Sequence, residues 1–512
     1  MSAADAIDVI RLDGGDEVVV ASRDIRLGET VSVPGRGRVE VRSSVPRGHK
    51  LAITPVSAGD TVSKYGVVIG VASADIKPGD HVHIHNLTMT DPESDYEFGT
   101  ARRTLPVPEG RRPTFDGYRR ADGKVGTRNY IGILTSVNCS AGTAKMIADQ
   151  FRGSALDEYT HVDGVVALTH GSGCGLVSGS DGADVLTRTL RGYAAHPNMA
   201  GLLVLGLGCE MLQADRIVDP TTLPESTLIE TMTIQETGGI RKTVRAGVAA
   251  IEKMLGPVND LQRESVDVSE LTLGLNCGGS DGYSGITANP ALGVASDLLV
   301  AYGGTSILAE TPEVFGAEQL LTRRAVSPEV GRKLLKRIEW WKEYAAAGGG
   351  SLDNNPSPGN KAGGLTTILE KSLGAIAKSG SAELVDVLAY AEPVTARGLH
   401  FMDTPGYDPV SVTGIVAGGA NIVCFTTGRG SVLGCKPSPS IKLATNSDLY
   451  ARMREDMDLN CGGIVDGSES VDEAGRRIFD CVLEVASGRR TVSEELDLGQ
   501  DEFQPWQLGT VT

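Results

Sequence analysis

The sequence predicts an α/β protein: a small N-terminal β-module followed by a large, two-lobed α/β region with mainly parallel sheets. Three observations carry this. Residues 1–100 hold short apolar runs between Gly/Pro turns, with weak helical periodicity. From Gly117 onward, apolar runs alternate with helix-compatible segments. Three of those runs end in glycine-rich turns at Cys139, Cys174 and Cys209, spaced 35 residues apart, which suits consecutive βαβ units.

In chain order, EVVVAS, KLAITPV, YGVVIGVA and HVHIHNL read as strands, with LGET, VSAGD and IKPGD as the turns between them. They define a β-module over 1–100. The stretch Asp91–Pro113 is polar and proline-containing, so 101–116 is assigned as a linker. A first α/β lobe is assigned to 117–262. Its strands are YIGILTSVNC, DGVVALTHGSGC and GLLVLGLGC, and its helices are SAGTAKMIADQF, DGADVLTRTLRGYAAH and RKTVRAGVAAIEKML. The polar stretch GPVNDLQRESVDVSE leads into a second lobe, 263–512. There LTLGLNCGGSDG repeats the strand-end pattern at Cys277, and SPEVGRKLLKRIEWWKEYAAA is a helix ended by GGGS. NIVCFTT and ESVDEAGRRIFDCVLEVAS supply a further strand and helix.

Composition narrows the function. The 512 residues are too many for one ordinary core. The net charge of −17 disfavours nucleic acid and anionic membrane as partners, and 4% aromatic residues leave little for stacking on bases. No apolar stretch is long enough for a membrane span, and the acidic N-terminus lacks a signal-peptide core, so a cytoplasmic protein is expected. Eight cysteines without disulfide-framework density read as buried thiols, reactive groups or metal ligands.

HVHIHN places His81, His83 and His85 on one face of a strand. That face suits a divalent metal, or is a solvated edge that binds nothing. His49 starts a strand in PRGHK. The strand-end cysteines suit a metal, an iron–sulfur cluster, an acid or base, or small apolar packing. Cys174 beside His170, and Cys209 beside Glu210, are the more reactive neighbourhoods. NPSPGNKAGG opens a helix whose N–H groups, with Asn360 and Lys361, suit a carboxylate. TTGRGS offers Thr427 and Arg429 for the same task, and a plain structural turn is the alternative for each.

GYRRADGKVGTRNYIGILTSVNCSAG, HGSGCG, GLGCE, NCGGSDGYSGITANPALG, ETPEVFGAEQLLTRRAV, NPSPGNKAGGLTTILEKSLG, FMDTPGYDPVS, CFTTGRGS and CKPSPSIKLATN resemble, in order, the altronate/galactarate dehydratase family. GHK, KYGVVIG and HVHIHN resemble its small SAF β-module. The altronate branch is the closer match, through HxHN, HGSGCG, Cys424, Cys435 and Cys461. The sulfolactate-cleaving members resemble a split version of this fused chain. The resemblance implies a hydro-lyase that converts a sugar acid, D-altronate first, to a 2-keto-3-deoxy acid, with ferrous iron (Fe2+) that manganese (Mn2+) replaces. Galactarate, another aldarate or sulfolactate are alternative substrates, and a carbohydrate-binding or assembly protein is the non-enzyme alternative.

Such a reaction needs a base beside the carboxylate, help for the leaving hydroxide and stabilisation of developing charge. His83 and His85 are the expected metal ligands, with His49 next. His170 is the expected base, with Cys174 and His49 as further catalytic candidates. Asn360, Lys361, Arg429 and Thr427 are expected to hold the substrate. The partner is a small sugar acid, and a homo-oligomer is admitted.

Overall fold

The computed structural model describes residues 8–90, 96–218, 223 and 227–509. The first residues of the acidic N-terminus and residues 91–95 of the predicted polar stretch lie outside them.

The β-module is built from antiparallel strands. Val9–Ile10, Val18–Ala21, Lys50–Ala52 and His81–Val82 form one sheet in that order. Thr61–Lys64, Val67–Ala72 and Leu87–Thr88 form a second, and Thr30–Val33 pairs with Gly37–Glu40. Its turns demand glycine. Gly79 of IKPGD has φ +91°, and a Cβ there would lie 2.0 Å from the Glu40 carbonyl oxygen. One expectation changes: HVHIHN is not a continuous strand. The Asn86 side chain accepts from the His83 N–H at 2.9 Å and donates to the His81 carbonyl at 3.0 Å, folding 83–86 into a turn. His81 and His83 stay together, and His85, though exposed, keeps its ring 5.4 Å from that of His81.

The next domain carries a four-stranded parallel sheet, ordered Gly164–Leu168, Tyr130–Thr135, Met199–Gly206, Leu228–Thr233. Helices Ala141–Ala148 and Ile240–Asn259 cover one face, against Ile131, Ile133 and Leu203. Helix Asp181–Ala194 covers the other, against Leu134, Leu202 and Val204. Thr114–Arg119, whose first residues fall in the predicted linker, pairs antiparallel with Val125–Gly126 and Glu264–Asp267.

The last domain holds a seven-stranded parallel sheet, ordered Leu384–Leu388, Gly398–Met402, Thr305–Leu308, Thr272–Cys277, Ile422–Thr427, Ser440–Ala444, Leu459–Asn460. Helices Ala288–Ala301 and Val471–Ala486 pack together on one face. On the other, helix Asp408–Ala417 meets Asp181–Ala194 of the preceding domain. A Cβ on Gly192 would lie 2.3 Å from the Ala417 carbonyl oxygen, so the two helix backbones touch. The two lobes therefore share one apolar core, in which Leu134, Leu190 and Val204 pack with Val412, Val416 and Phe425. Arg128 locks them further, with a buried two-pronged bond to Glu494 at 2.6 and 2.9 Å.

Candidate active site

The module docks on the last domain through its histidine strand ends. A Cβ on Gly282 would lie 2.0 Å from the Gly48 carbonyl oxygen, so the two segments approach as closely as backbone allows. Lys50, beside His49, donates to the Gly364 carbonyl at 2.8 Å and to Glu370 at 2.8 Å. Lys64 reaches the other Glu370 oxygen at 2.9 Å. All three side chains are buried. The two ammonium groups outweigh the cost of burial and hold the Glu370 carboxyl far below its ordinary range.

At this junction His49, His81 and His83 bring their ring nitrogens within 4.8 Å of one another. His49 Nδ1 faces His81 Nε2 at 3.0 Å, while His49 Nε2 lies 3.3 Å from the Ala362 carbonyl. Burial and the neighbouring rings hold His81 down to about 3, and burial with Lys50 holds His83 down to about 4. The rings are thus neutral, the form that ligates metal. His83 Nδ1 is buried with no hydrogen-bond partner. Two nitrogens each about 2.1 Å from one ion sit about 3.0–3.4 Å apart, so the His49–His81 spacing and the orphaned His83 nitrogen fit a divalent cation. The nitrogens that lie within 4.8 Å of one another belong to His49, His81 and His83, while the exposed His85 stands beside His81 outside that set.

Facing the histidines is the end of helix Pro358–Ala362, whose Ala362 carbonyl meets His49. Asn360 is engaged at both ends: its oxygen accepts from the Ser357 N–H at 3.0 Å and its amide donates to the Ser280 carbonyl at 2.9 Å. It positions the segment. Lys361 is half-buried and Arg429 exposed. Arg429 leans on the same segment, since a Cβ on Gly363 would lie 3.2 Å from its Cδ. Thr427 is buried, and its hydroxyl accepts from the Gly430 N–H at 3.0 Å, a turn role.

Helix Ile368–Ile376 links this junction to a second cluster. Glu370 points to the module lysines; the next residue, Lys371, donates to Glu313 at 2.7 Å. Around Glu313 are Cys277, Glu310 and Lys378, all buried, with the Lys378 Nζ 2.8 Å from the Cys277 sulfur. Glu310 closes strand Thr305–Leu308 in a left-handed conformation, φ +72°, and its Oε1 is buried without a partner. Burial and the Glu313 charge push the Glu310 carboxyl up. Against the same burial, Lys371 and Lys378 hold Glu313 down. Two carboxyls driven apart in this way have the properties that an acid–base pair requires. Cys277, Glu310 and Glu313 are close enough to hold a metal, but the two ammonium groups already supply the positive charge. Sequence reading passed over this cluster; the visible signal was Glu310 and Glu313 flanking Thr-Pro in ETPE.

His170 and Cys174 lie elsewhere, at the carboxyl end of the four-stranded sheet, lining a cavity of about 270 Å³. His170 does not suit the role of base. Its Nε2 lies 2.9 Å from the Thr135 carbonyl and its Nδ1 accepts from the Ser172 N–H at 3.2 Å. Both nitrogens are spent on backbone, and burial holds the ring down to about 4. Cys174 is exposed.

Known proteins match this architecture along the whole chain. The altronate/galactarate dehydratase SAF domain matches residues 7–90. The second domain of D-galactarate dehydratase/altronate hydrolase matches 117–259, and the D-galactarate/altronate dehydratase C-terminal domain matches 268–511. Altronate dehydratase of Bacillus subtilis (strain 168) is 36% identical over 95% of this chain and 97% of its own. Galactarate dehydratase (L-threo-forming) of Escherichia coli (strain K12) is 39% identical over 96% of this chain and 95% of its own. Altronate dehydratase of Escherichia coli (strain K12) is 38% identical over 95% and 97%. An N-terminal SAF module docked on a parallel-sheet domain, with matches to all three family domains and relatives that align almost end to end, makes this chain a member of the altronate/galactarate dehydratase family and a hydro-lyase acting on sugar acids.

Proposed function

We propose that the chain dehydrates D-altronate to 2-dehydro-3-deoxy-D-gluconate, with divalent iron held by His49, His81 and His83. The observation that carries this reading is the three-imidazole cluster, neutral and facing the Pro358–Ala362 segment across the module junction. Bound there, iron would polarise a substrate oxygen and stabilise charge that develops beside the carboxylate.

The chain's own groups supply the rest. Lys361 and Arg429 gather at one end of the segment, which suits the single carboxylate of an aldonate better than the two of an aldarate. Asn360 fixes that segment against Ser280. Glu310, kept protonated through neutral pH, suits the donor that accompanies the departing hydroxide. Glu313, kept ionised, suits the acceptor. Eight free cysteines suit a reducing, cytoplasmic setting.

The test is an anaerobic assay with ferrous iron across a panel of aldonates and aldarates, following formation of the 2-keto-3-deoxy acid. Altronate should give the highest kcat/KM. A higher value for galactarate would overturn the substrate assignment and leave the dehydratase reading in place.

A further inference from the structure

Three cysteines remain without a task. Cys139, Cys174 and Cys209 are exposed, while the other five are buried. Each sits just beyond a strand of the four-stranded parallel sheet: Tyr130–Thr135, Gly164–Leu168 and Met199–Gly206, which are adjacent. Carboxyl ends of parallel strands are where such sheets bind ligands.

The three turns converge on Ser136 and Asn138. The Asn138 N–H donates to the Ser172 carbonyl at 2.9 Å, and its side chain donates to the His170 carbonyl at 3.2 Å. Gly173, next to Cys174, has φ +103°, and a Cβ there would lie 2.2 Å from the Ser136 carbonyl oxygen. From the other side, the Ser136 hydroxyl donates to Glu210 at 2.6 Å, and Glu210 also holds the Gly208 N–H at 2.7 Å, fixing the turn that carries Cys209. The neighbours that could compete as ligands are occupied: Glu210 by these donors, His170 by backbone on both nitrogens. None of the three thiols makes a hydrogen bond among the described residues.

The spacing excludes a single ion. Three thiolates on one zinc ion, each about 2.3 Å away, lie about 3.8 Å apart. These three sulfurs are not all within 4.8 Å of one another. They are too widely spread for a single ion, whereas a polynuclear cluster spreads its thiolates over several irons. We propose that Cys139, Cys174 and Cys209 hold an iron–sulfur cluster of the [4Fe–4S] class, leaving one iron without a protein ligand. This site is separate from the histidine cluster and does not depend on the substrate assigned above.

The test uses the full chain, purified without oxygen and incubated with a ferric salt, sulfide and a thiol reductant. Iron and acid-labile sulfide are then counted, and absorbance near the visible thiolate-to-iron bands is recorded. About four sulfides per chain are expected. Each of Cys139→Ser, Cys174→Ser and Cys209→Ser should lower sulfide at least fivefold, while His83→Ala and Cys481→Ser leave it unchanged. The wild-type count needs no variant to fold. Absence of acid-labile sulfide in the wild type, iron or zinc bound without sulfide, or sulfide unaffected by all three cysteine changes would each overturn the proposal. Loss of iron in His83→Ala with sulfide retained separates this site from the histidine site.

Discussion

A buried nitrogen with no partner costs about 1–3 kcal/mol, and His83 Nδ1 is one such atom. A cation between His49, His81 and His83 would turn that cost into a bond. We expect His81→Ala and His83→Ala each to weaken iron binding by at least about tenfold, and His85→Ala to leave it unchanged. Metal analysis after dialysis, with the iron that accompanies acid-labile sulfide subtracted, checks this, and full retention of the remaining iron in His83→Ala would exclude the site. Glu310 Oε1 is the other telling atom. Glu310→Gln keeps the shape and removes the proton, so kcat should fall by about a hundredfold or more with iron content unchanged. Because burial and Glu313 raise the Glu310 carboxyl, its proton is present at neutral pH and is lost as pH rises through the raised value. The wild-type rate should therefore decline on the alkaline side, and a pH–rate profile of Glu310→Gln should lack that decline. At this scale the sequence was only partly legible. HVHIHN displayed three equivalent histidines, and the choice of His81 over His85 was made by a hydrogen-bonded turn at Asn86. Glu310 and Glu313 were visible as neighbours, but their opposite shifts depend on Lys371 and Lys378, which only folding brings near.

Among the elements, helix Ile368–Ile376 links the two clusters, because consecutive residues Glu370 and Lys371 bond the module lysines and Glu313. Glu370→Gln would leave Lys50 and Lys64 buried as charges without a counter-ion, a loss of about 3–5 kcal/mol. The folded carboxyl titrates well below the unfolded value of about 4.3. Its contribution is complete above that value and fades as pH falls below it. Denaturant unfolding should show the full gap between wild type and variant at neutral pH and a narrowing gap in acid; a gap that ignores pH would refute the assignment. Strands and long helices were readable from periodicity, since Tyr130–Thr135, Met199–Gly206 and Ile240–Asn259 bury continuous or striped apolar faces. The antiparallel pairing of Thr114–Arg119 with Glu264–Asp267 was not, because it joins polar segments far apart in the chain.

For the whole molecule, the order of β-module and two α/β lobes was legible, but the apolar cluster that the two lobes share was not. Helices Asp181–Ala194 and Asp408–Ala417 touch at Gly192, and no local pattern announces a contact between residues so distant. With Arg128 and Glu494 buried across the same boundary, calorimetry should show the two α/β domains melting in a single transition. Two separated transitions would contradict the shared core. The module is joined differently, by a polar connecting stretch and a triad of charges closed off from solvent. On the proposed reading, histidines on the module and the cationic segment on the last domain are complementary half-sites. Severed in the connecting stretch, the halves should restore turnover when mixed, and their mutual affinity should resist added salt, which screens exposed charges and leaves enclosed ones untouched.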